Sequence, residues 1–240
     1  MRFLLAVALI LSGAMVPRQR TFLLLGDSIT QGEGDHYPIS KPWRSWLNEL
    51  RSPGQEVYRY VGLLPGYNGR DGHGMCWDPT KFDEPHGAQC GVKSEDILEW
   101  LRASEDYLYT STVSDVVVAI GTNNIGSQQS VQEAIRNTEE LIDEAEKMLP
   151  RANIYVATLI WNEFYPVSEY NVALRQAIID RQLKGERVFL LDWSSEIAES
   201  DTYDGLHPNA DGSRKMAMFA RKVFSKQSAR VLIPDMLLLD

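Results

Sequence analysis

Three short blocks spread along the chain carry side chains with complementary chemistry. Gly26-Asp27-Ser28 lies near the start, Gly121-Thr122-Asn123-Asn124 in the middle and Asp204-Gly205-Leu206-His207-Pro208 near the end. A serine at a turn after an apolar run is a nucleophile when a base takes its proton. His207 is the histidine whose spacing singles it out. Asp204 lies three residues earlier, and one helical turn would bring its carboxylate to Nδ1, fixing the tautomer and stabilising the imidazolium. The alternative is a plain surface turn ahead of Pro208. His36, His73 and His86 sit in Gly- and Pro-rich segments with no carboxylate at a fixed spacing, and read as loop or surface side chains.

Asn123 has two readings as well: a turn residue tolerating positive φ, or an amide donor to a developing oxyanion. Gly91 is either a loop glycine or a backbone N–H that approaches a substrate closely because no Cβ intrudes. The N–H of Ser28 would be a third donor. Asp27 is expected to hydrogen-bond locally and hold the turn. Taken together and in this order, the blocks point to acyl-ester hydrolysis.

Elements able to position them are legible in the hydropathy. Thr21–Leu25, Val57–Val61, Val113–Ile120, Ile154–Ile160 and Val188–Leu191 read as five strands. Their unbroken apolarity predicts a parallel sheet covered on both faces. Between them, Val131, Ala134, Ile135, Thr138, Leu141, Ile142, Ala145 and Leu149 recur at helical spacing until Pro150. Ser94 is placed to cap a helix with Glu95 and Asp96 in its first turn and Ile97, Trp100, Leu101 and Leu108 as its apolar stripe. Val167–Leu183 and Ala210–Phe224 complete the set. This alternation predicts a three-layer α/β/α domain with right-handed crossovers. Ligands of such sheets bind beyond the carboxyl ends of the strands. The serine block follows the first strand, the asparagine block the third and the histidine block the fifth, so all three fall on one edge.

A length of 240 residues suits one domain with a sizeable core. A net charge of -9 with no basic cluster argues against nucleic acid as partner. Arg2, the apolar stretch Phe3–Leu11 and the small residues Ser12-Gly13-Ala14 have the composition of a secretory signal, with cleavage expected after Ala14 and a mature domain over 15–240. That stretch is too short to span a bilayer, which needs about 20 apolar residues; the apolar tail from Val231 is likewise too short to anchor the chain. In a secreted chain the two cysteines, Cys76 and Cys90, read as a disulfide. Cys76 falls within, and Cys90 directly after, a long Gly/Pro/Asp/His-rich loop, Pro65–Gln89. Asp71, Asp78, Asp83 and Glu84 in that loop match no calcium motif, and no metal site is expected.

Gly26-Asp27-Ser28-Ile29-Thr30, Gly91, Gly121-Thr122-Asn123-Asn124 and Asp204-Gly205-Leu206-His207-Pro208 resemble the four blocks of the SGNH, or GDSL-type, hydrolases, in the right order over residues 22–208. The resemblance implies Ser28 as nucleophile, Ser28, Gly91 and Asn123 as oxyanion residues, Asp204 and His207 as the rest of a triad, a flavodoxin-like sheet and no cofactor. Gly87 is the alternative to Gly91. The segment Gly26–Gly32, Tyr60-Val61-Gly62 and Asn171-x-x-Leu174 resemble secreted carbohydrate acetylesterases of carbohydrate esterase family 3, although His86-Gly87-Ala88-Gln89-Cys90-Gly91 stands where those enzymes carry a compact Gly-His-x-Gly. The resemblance implies an acylated carbohydrate or other small ester as substrate. Trp43, Trp46, Tyr67, Trp77 and Trp161 are candidate sugar-stacking surfaces. Two other readings are a lipase, lysophospholipase or thioesterase with the same triad, and a non-catalytic carbohydrate-binding protein on the same scaffold.

Overall fold

The structure, a computed structural model, describes residues 18–32, 42–52, 55–62, 85–103 and 112–232, with side chains to residue 227. The expected signal segment, the loop as far as residue 84, His36, His73, Cys76, Leu108 and the end of the tail lie outside the described residues.

Strands β1 (Gln19–Gly26), β2 (Val57–Val61), β4 (Asp115–Ala119), β5 (Asn153–Ala157) and β6 (Val188–Leu191) form a parallel sheet in the order β2-β1-β4-β5-β6. The five expected strands are all present, two of them shorter than their apolar runs. A sixth, the two-residue β3 (Gly87–Ala88), also pairs with the end of β1. In the central strands the apolar runs are unbroken because successive residues are buried on opposite faces. Leu23, Leu25, Val116, Val118, Ile154 and Val156 face helices α3 (Ser94–Ala103), α5 (Val131–Met148) and α6 (Val167–Leu183). Phe22, Leu24, Val117, Ala119, Tyr155 and Ala157 face α2 (Trp43–Glu49) and α7 (Ala210–Leu232). Trp43 lies in this second core, its ring 5.0 Å from that of Trp193, so it is a packing residue and not a stacking surface.

At the amino ends of the central strands, Arg20 of β1 is fully enclosed. Its guanidinium donates to both carboxylate oxygens of Asp115 on β4 and to Tyr155 Oη on β5 at 2.9 Å. Asn153 Nδ2, also on β5, donates to Asp115 Oδ1 at 2.9 Å. One ion pair therefore ties three adjacent strands in register.

Helix boundaries follow local chemistry. Ser130 Oγ caps α5 by accepting from the Glu133 N–H at 3.2 Å. Ser94 is not a cap. The Asp96 carboxylate accepts from the Lys93 N–H at 2.8 Å, and Ser94 is buried inside the first turn of α3 with its hydroxyl turned to other partners. Asn171 on α6 holds the end of β5 by exchanging two 2.8 Å hydrogen bonds with the backbone of Leu159. Among the described residues no helix is long and apolar enough to cross a membrane.

Without Asp115 the buried Arg20 charge would keep only Glu56, 3.3 Å away, as an ionic partner, and breaking a buried ion pair costs about 3–5 kcal/mol. Asp115→Ala is expected to lose that much in guanidinium unfolding monitored by circular dichroism. A loss below about 1 kcal/mol, the scale of an exposed pair, would show that the register does not depend on it.

Candidate active site

All the parallel strands end at one edge, and the sequence blocks begin there. β1 closes on Gly26 level with Ala119 of β4, so the turns starting at Asp27 and Gly121 are neighbours. Asp27 caps the short helix α1 (Ser28–Gln31), as expected. Its Oδ1 accepts from the Ile29 N–H at 3.1 Å and its carbonyl from the N–H groups of Thr30 and Gln31. The Ser28 N–H is not among those taken by Asp27, and Ser28 stands at the start of the helix.

The histidine block is a tight turn after β6. The Tyr203 N–H donates to the His207 carbonyl at 3.1 Å, and Thr202 and Pro208 form an antiparallel bridge. Gly205 has φ +82°, a left-handed conformation that disfavours any Cβ, and a Cβ there would lie 2.6 Å from Glu163 Oε2. Within this turn Asp204 uses both oxygens. Oδ1 accepts from the N–H groups of Leu206 at 3.0 Å and His207 at 2.7 Å, while Oδ2 lies 2.7 Å from His207 Nδ1. On the far side of the ring, Nε2 is 2.9 Å from Ser28 Oγ. The geometry assigns the tautomer: the Nδ1–H donates to the carboxylate, and Nε2 accepts from the serine hydroxyl. Serine and histidine are buried and the aspartate is exposed. Partial burial pushes the Asp204 carboxyl up, but the hydrogen bonds from the His207 ring and backbone outweigh it and hold the group below its ordinary range.

The segment Gln89–Ser94 passes beside this pair. Its path is set by the Gln89 N–H donating to the Gly26 carbonyl at 3.1 Å and the Cys90 N–H donating to Gln31 Oε1 at 2.7 Å. Gly91 is exposed at the turn, with nothing within 4 Å of the position a Cβ would take. Gly87 sits instead in β3, where a Cβ would meet Leu25 Cδ2 at 2.8 Å. Asn123, in α4 (Thr122–Gly126), donates from Nδ2 to the Val92 carbonyl at 2.9 Å. That bond uses one amide hydrogen and orients the other.

His86 departs from the expectation of a surface or loop side chain. It is fully buried, and its Nδ1 accepts from the Ala88 N–H at 3.2 Å. Of the other aromatic candidates, Trp46 and Trp161 are half-buried, and Tyr67 and Trp77 lie outside the described residues. Cys90 opens the Gly91 turn; its expected partner Cys76 also lies outside. Sequence reading gave no site role to Gln31, Asn124 or Tyr170 and only a capping role to Ser94, all four buried around these turns. The signal for Gln31 and Asn124 was their place inside the motif blocks; Tyr170 had none beyond helical spacing.

A small cleft nearby is lined by Asp27, Ile29, Ile120, Thr122, Leu159 and Trp193 among others, and by none of Ser28, His207, Gly91 or Asn123. Among the described residues no cluster of three or more His, Cys, Asp or Glu side chains is arranged to hold a metal ion.

Comparison with known proteins bears on the fold and the family. A multidomain esterase of Ruminococcus flavefaciens is 26% identical over 218 residues, covering 81% of this chain but only 27% of that protein, so the chain spans about a quarter of its relative's length. Among solved structures, a Clostridium thermocellum family 3 carbohydrate esterase superposes with a TM-score of 0.70 at 20% identity, covering 89% of this chain and 99% of that one. A carbohydrate esterase family 3 protein from Talaromyces cellulolyticus gives 0.67 at 18% identity, covering 88% and 99%. At these identities the two structures establish the shared fold. Residues 24–215 match the GDSL-like Lipase/Acylhydrolase family. With that match running from the end of the first strand to beyond His207, the chain belongs to the GDSL-like lipase/acylhydrolase family.

Proposed function

We propose that this chain is a serine esterase that removes short acyl groups, acetyl above all, from carbohydrates. The observation that carries the reading is the unbroken series Ser28 Oγ, His207 Nε2, His207 Nδ1, Asp204 Oδ2, with contacts of 2.9 and 2.7 Å. A sugar-binding protein without catalysis has no use for a serine hydroxyl placed against an oriented imidazole.

In this mechanism Ser28 Oγ attacks the ester carbonyl while its proton passes to Nε2. Asp204 stabilises the resulting imidazolium without taking the proton. The tetrahedral oxyanion is received by the N–H groups of Ser28 and Gly91 and by the second hydrogen of Asn123 Nδ2. Collapse expels the sugar alkoxide, protonated from Nε2, and leaves an acyl-enzyme. Water then attacks with the same groups in reversed roles.

The carbohydrate part of the reading draws support from the relatives that are carbohydrate esterases by name. The short acyl group rests on the resemblance of Gly26–Gly32, Tyr60-Val61-Gly62 and Asn171-x-x-Leu174 to carbohydrate acetylesterases. The family's name keeps a lipase or thioesterase reading in view. We also propose that the chain acts outside the cell, as one domain after cleavage near Ala14, with Cys76 and Cys90 joined.

Ser28→Ala and His207→Ala are each expected to lower kcat on p-nitrophenyl acetate by at least about 10³-fold while keeping the wild-type circular dichroism spectrum. Full activity in either variant rejects the mechanism. Asp204→Asn should lose about 10⁴-fold, because the amide favours the wrong tautomer. Its stability carries a pH signature too. A depressed carboxyl stabilises the fold above its unfolded pKa and loses that contribution as pH falls through its folded value. The gap in melting temperature between wild type and Asp204→Asn should therefore narrow as pH drops from 6 to about 3, below the unfolded carboxylate pKa. A gap that widens contradicts the ionised pairing.

An acyl-chain series from acetyl to palmitoyl, run beside acetylated xylan, should show rates falling with length. A preference for long chains would replace the acetylesterase reading with a lipase one. Mass spectrometry of exported protein, with and without reductant, is expected to find a start near Met15 and one linked cysteine pair. An intact amino terminus or two alkylatable thiols would remove that part of the proposal.

A further inference from the structure

Asn124 directly follows the amide assigned to the oxyanion, yet its side chain serves a different purpose. It is fully buried. Oδ1 accepts from the Ser94 N–H at 3.1 Å and from the Ser94 hydroxyl at 3.2 Å. Nδ2 donates to Glu95 Oε2 at 2.8 Å and to Gln129 Oε1 at 2.9 Å. A side-chain amide offers two acceptor sites and two donor hydrogens, and here all four are used. The orientation of the amide is fixed by its neighbours. Burial pushes the Glu95 carboxyl up, but its backbone, Gln129, Asn124 and Lys93 contacts keep it below the ordinary value, so it is an ionised, accept-only partner that must face Nδ2.

The contacts of Asn123 and Asn124 converge on one segment. Asn123 holds the carbonyl of Val92 and Asn124 holds the N–H of Ser94, two residues apart and immediately after Gly91. Behind Ser94 the polar chain continues inward. Its hydroxyl lies 3.1 Å from Thr138 Oγ1 on α5, which lies 3.0 Å from Tyr170 Oη on α6. Tyr170 Oη donates to the Ile120 carbonyl at 3.3 Å, one residue before Gly121. Gly121 has φ +126°, and a Cβ there would lie 2.7 Å from that same hydroxyl. The path thus starts at the strand end that carries Asn123 and finishes at the turn that carries Gly91.

A network that only joined helices would have no reason to terminate at both donor-bearing segments. Resting on the esterase reading above, we propose that Asn124 is a positioning residue of the oxyanion hole, setting the separation between the Gly91 N–H and Asn123 Nδ2 through Ser94, Thr138 and Tyr170. It touches no substrate. Its effect on rate comes from geometry, since a displacement of about 1 Å in a donor costs on the order of 10²-fold.

A double-mutant cycle with p-nitrophenyl acetate tests this, because a residue acting through another loses its effect once that other is gone. Asn124→Ala is expected to lower kcat by about 10–100-fold with KM within about twofold of wild type. In an Asn123→Ala background the same change should cost less than about threefold. Equal factors in both backgrounds, or no loss of kcat in the single variant, overturn the proposal. If Asn124→Ala does not yield folded protein, Ser94→Ala removes only the hydroxyl, retains the backbone bond to Asn124 and runs the same cycle with the same criterion. An inactive wild type would instead sink the esterase reading; an active wild type with equal losses sinks the positioning role alone.

Discussion

The arrangement rests on a buried ion pair at the end of the sheet away from the site. Arg20 and Asp115 are removed from water, and desolvation offsets much of what their attraction contributes. Their consequence is register. With Tyr155 and Asn153 joining from β5, the pair has one satisfactory alignment of β1, β4 and β5. A slip of one residue would separate the charges and turn every apolar side chain to the opposite face. Because the strands are parallel, fixing their amino ends also fixes where their carboxyl ends stop. Gly26 and Ala119 therefore finish level, and the turns that follow start from a common edge.

At that edge, the serine turn and the histidine turn are each shaped by bonds within their own few residues. Asp27 winds the serine turn through one side-chain and two backbone acceptor contacts. Asp204 builds the histidine turn with one oxygen and orients the imidazole with the other. The same carboxylate that shapes the loop thus selects the tautomer. A substitution there removes a structural anchor and a chemical one together, which is why stability and rate must be read side by side at this position.

Sequence reading reached a good deal of this, for identifiable reasons. Strands buried on both faces betray themselves by unbroken apolarity, so all five were placed, and Val57–Val61, Val188–Leu191 and helix Val167–Leu183 were placed to the residue. The Asp204–His207 geometry was legible because its partners are three residues apart. Long-range polar pairing was not. Nothing local marks Arg20 and Asp115, 95 positions apart, as partners rather than solvated strand ends. Ser94 was misread as a cap because serine ahead of acidic residues usually is one; Asp96 took the capping role and freed Ser94 for Asn124 and Thr138. His86 was misread because its Gly/Pro-rich surroundings resemble a surface loop, whereas β3 draws it into the sheet.

The two halves of the site are held in different ways, and the proposed acyl transfer would account for the difference. Under that mechanism the serine–histidine contact changes, as a proton moves to Nε2 and then on to the leaving group. It is served by a compact turn with an exposed carboxylate behind it. The proposed oxyanion donors would have to stay fixed, since the value of such donors lies in already pointing where charge will develop. They are backed by fully buried, fully paired side chains drawn from α3, α4, α5 and α6. In such a network each bond is strong because no water competes, and a missing partner is correspondingly costly. Buried long-range pairing is thus concentrated behind Gly91 and Asn123, and local turn bonding behind Ser28 and His207.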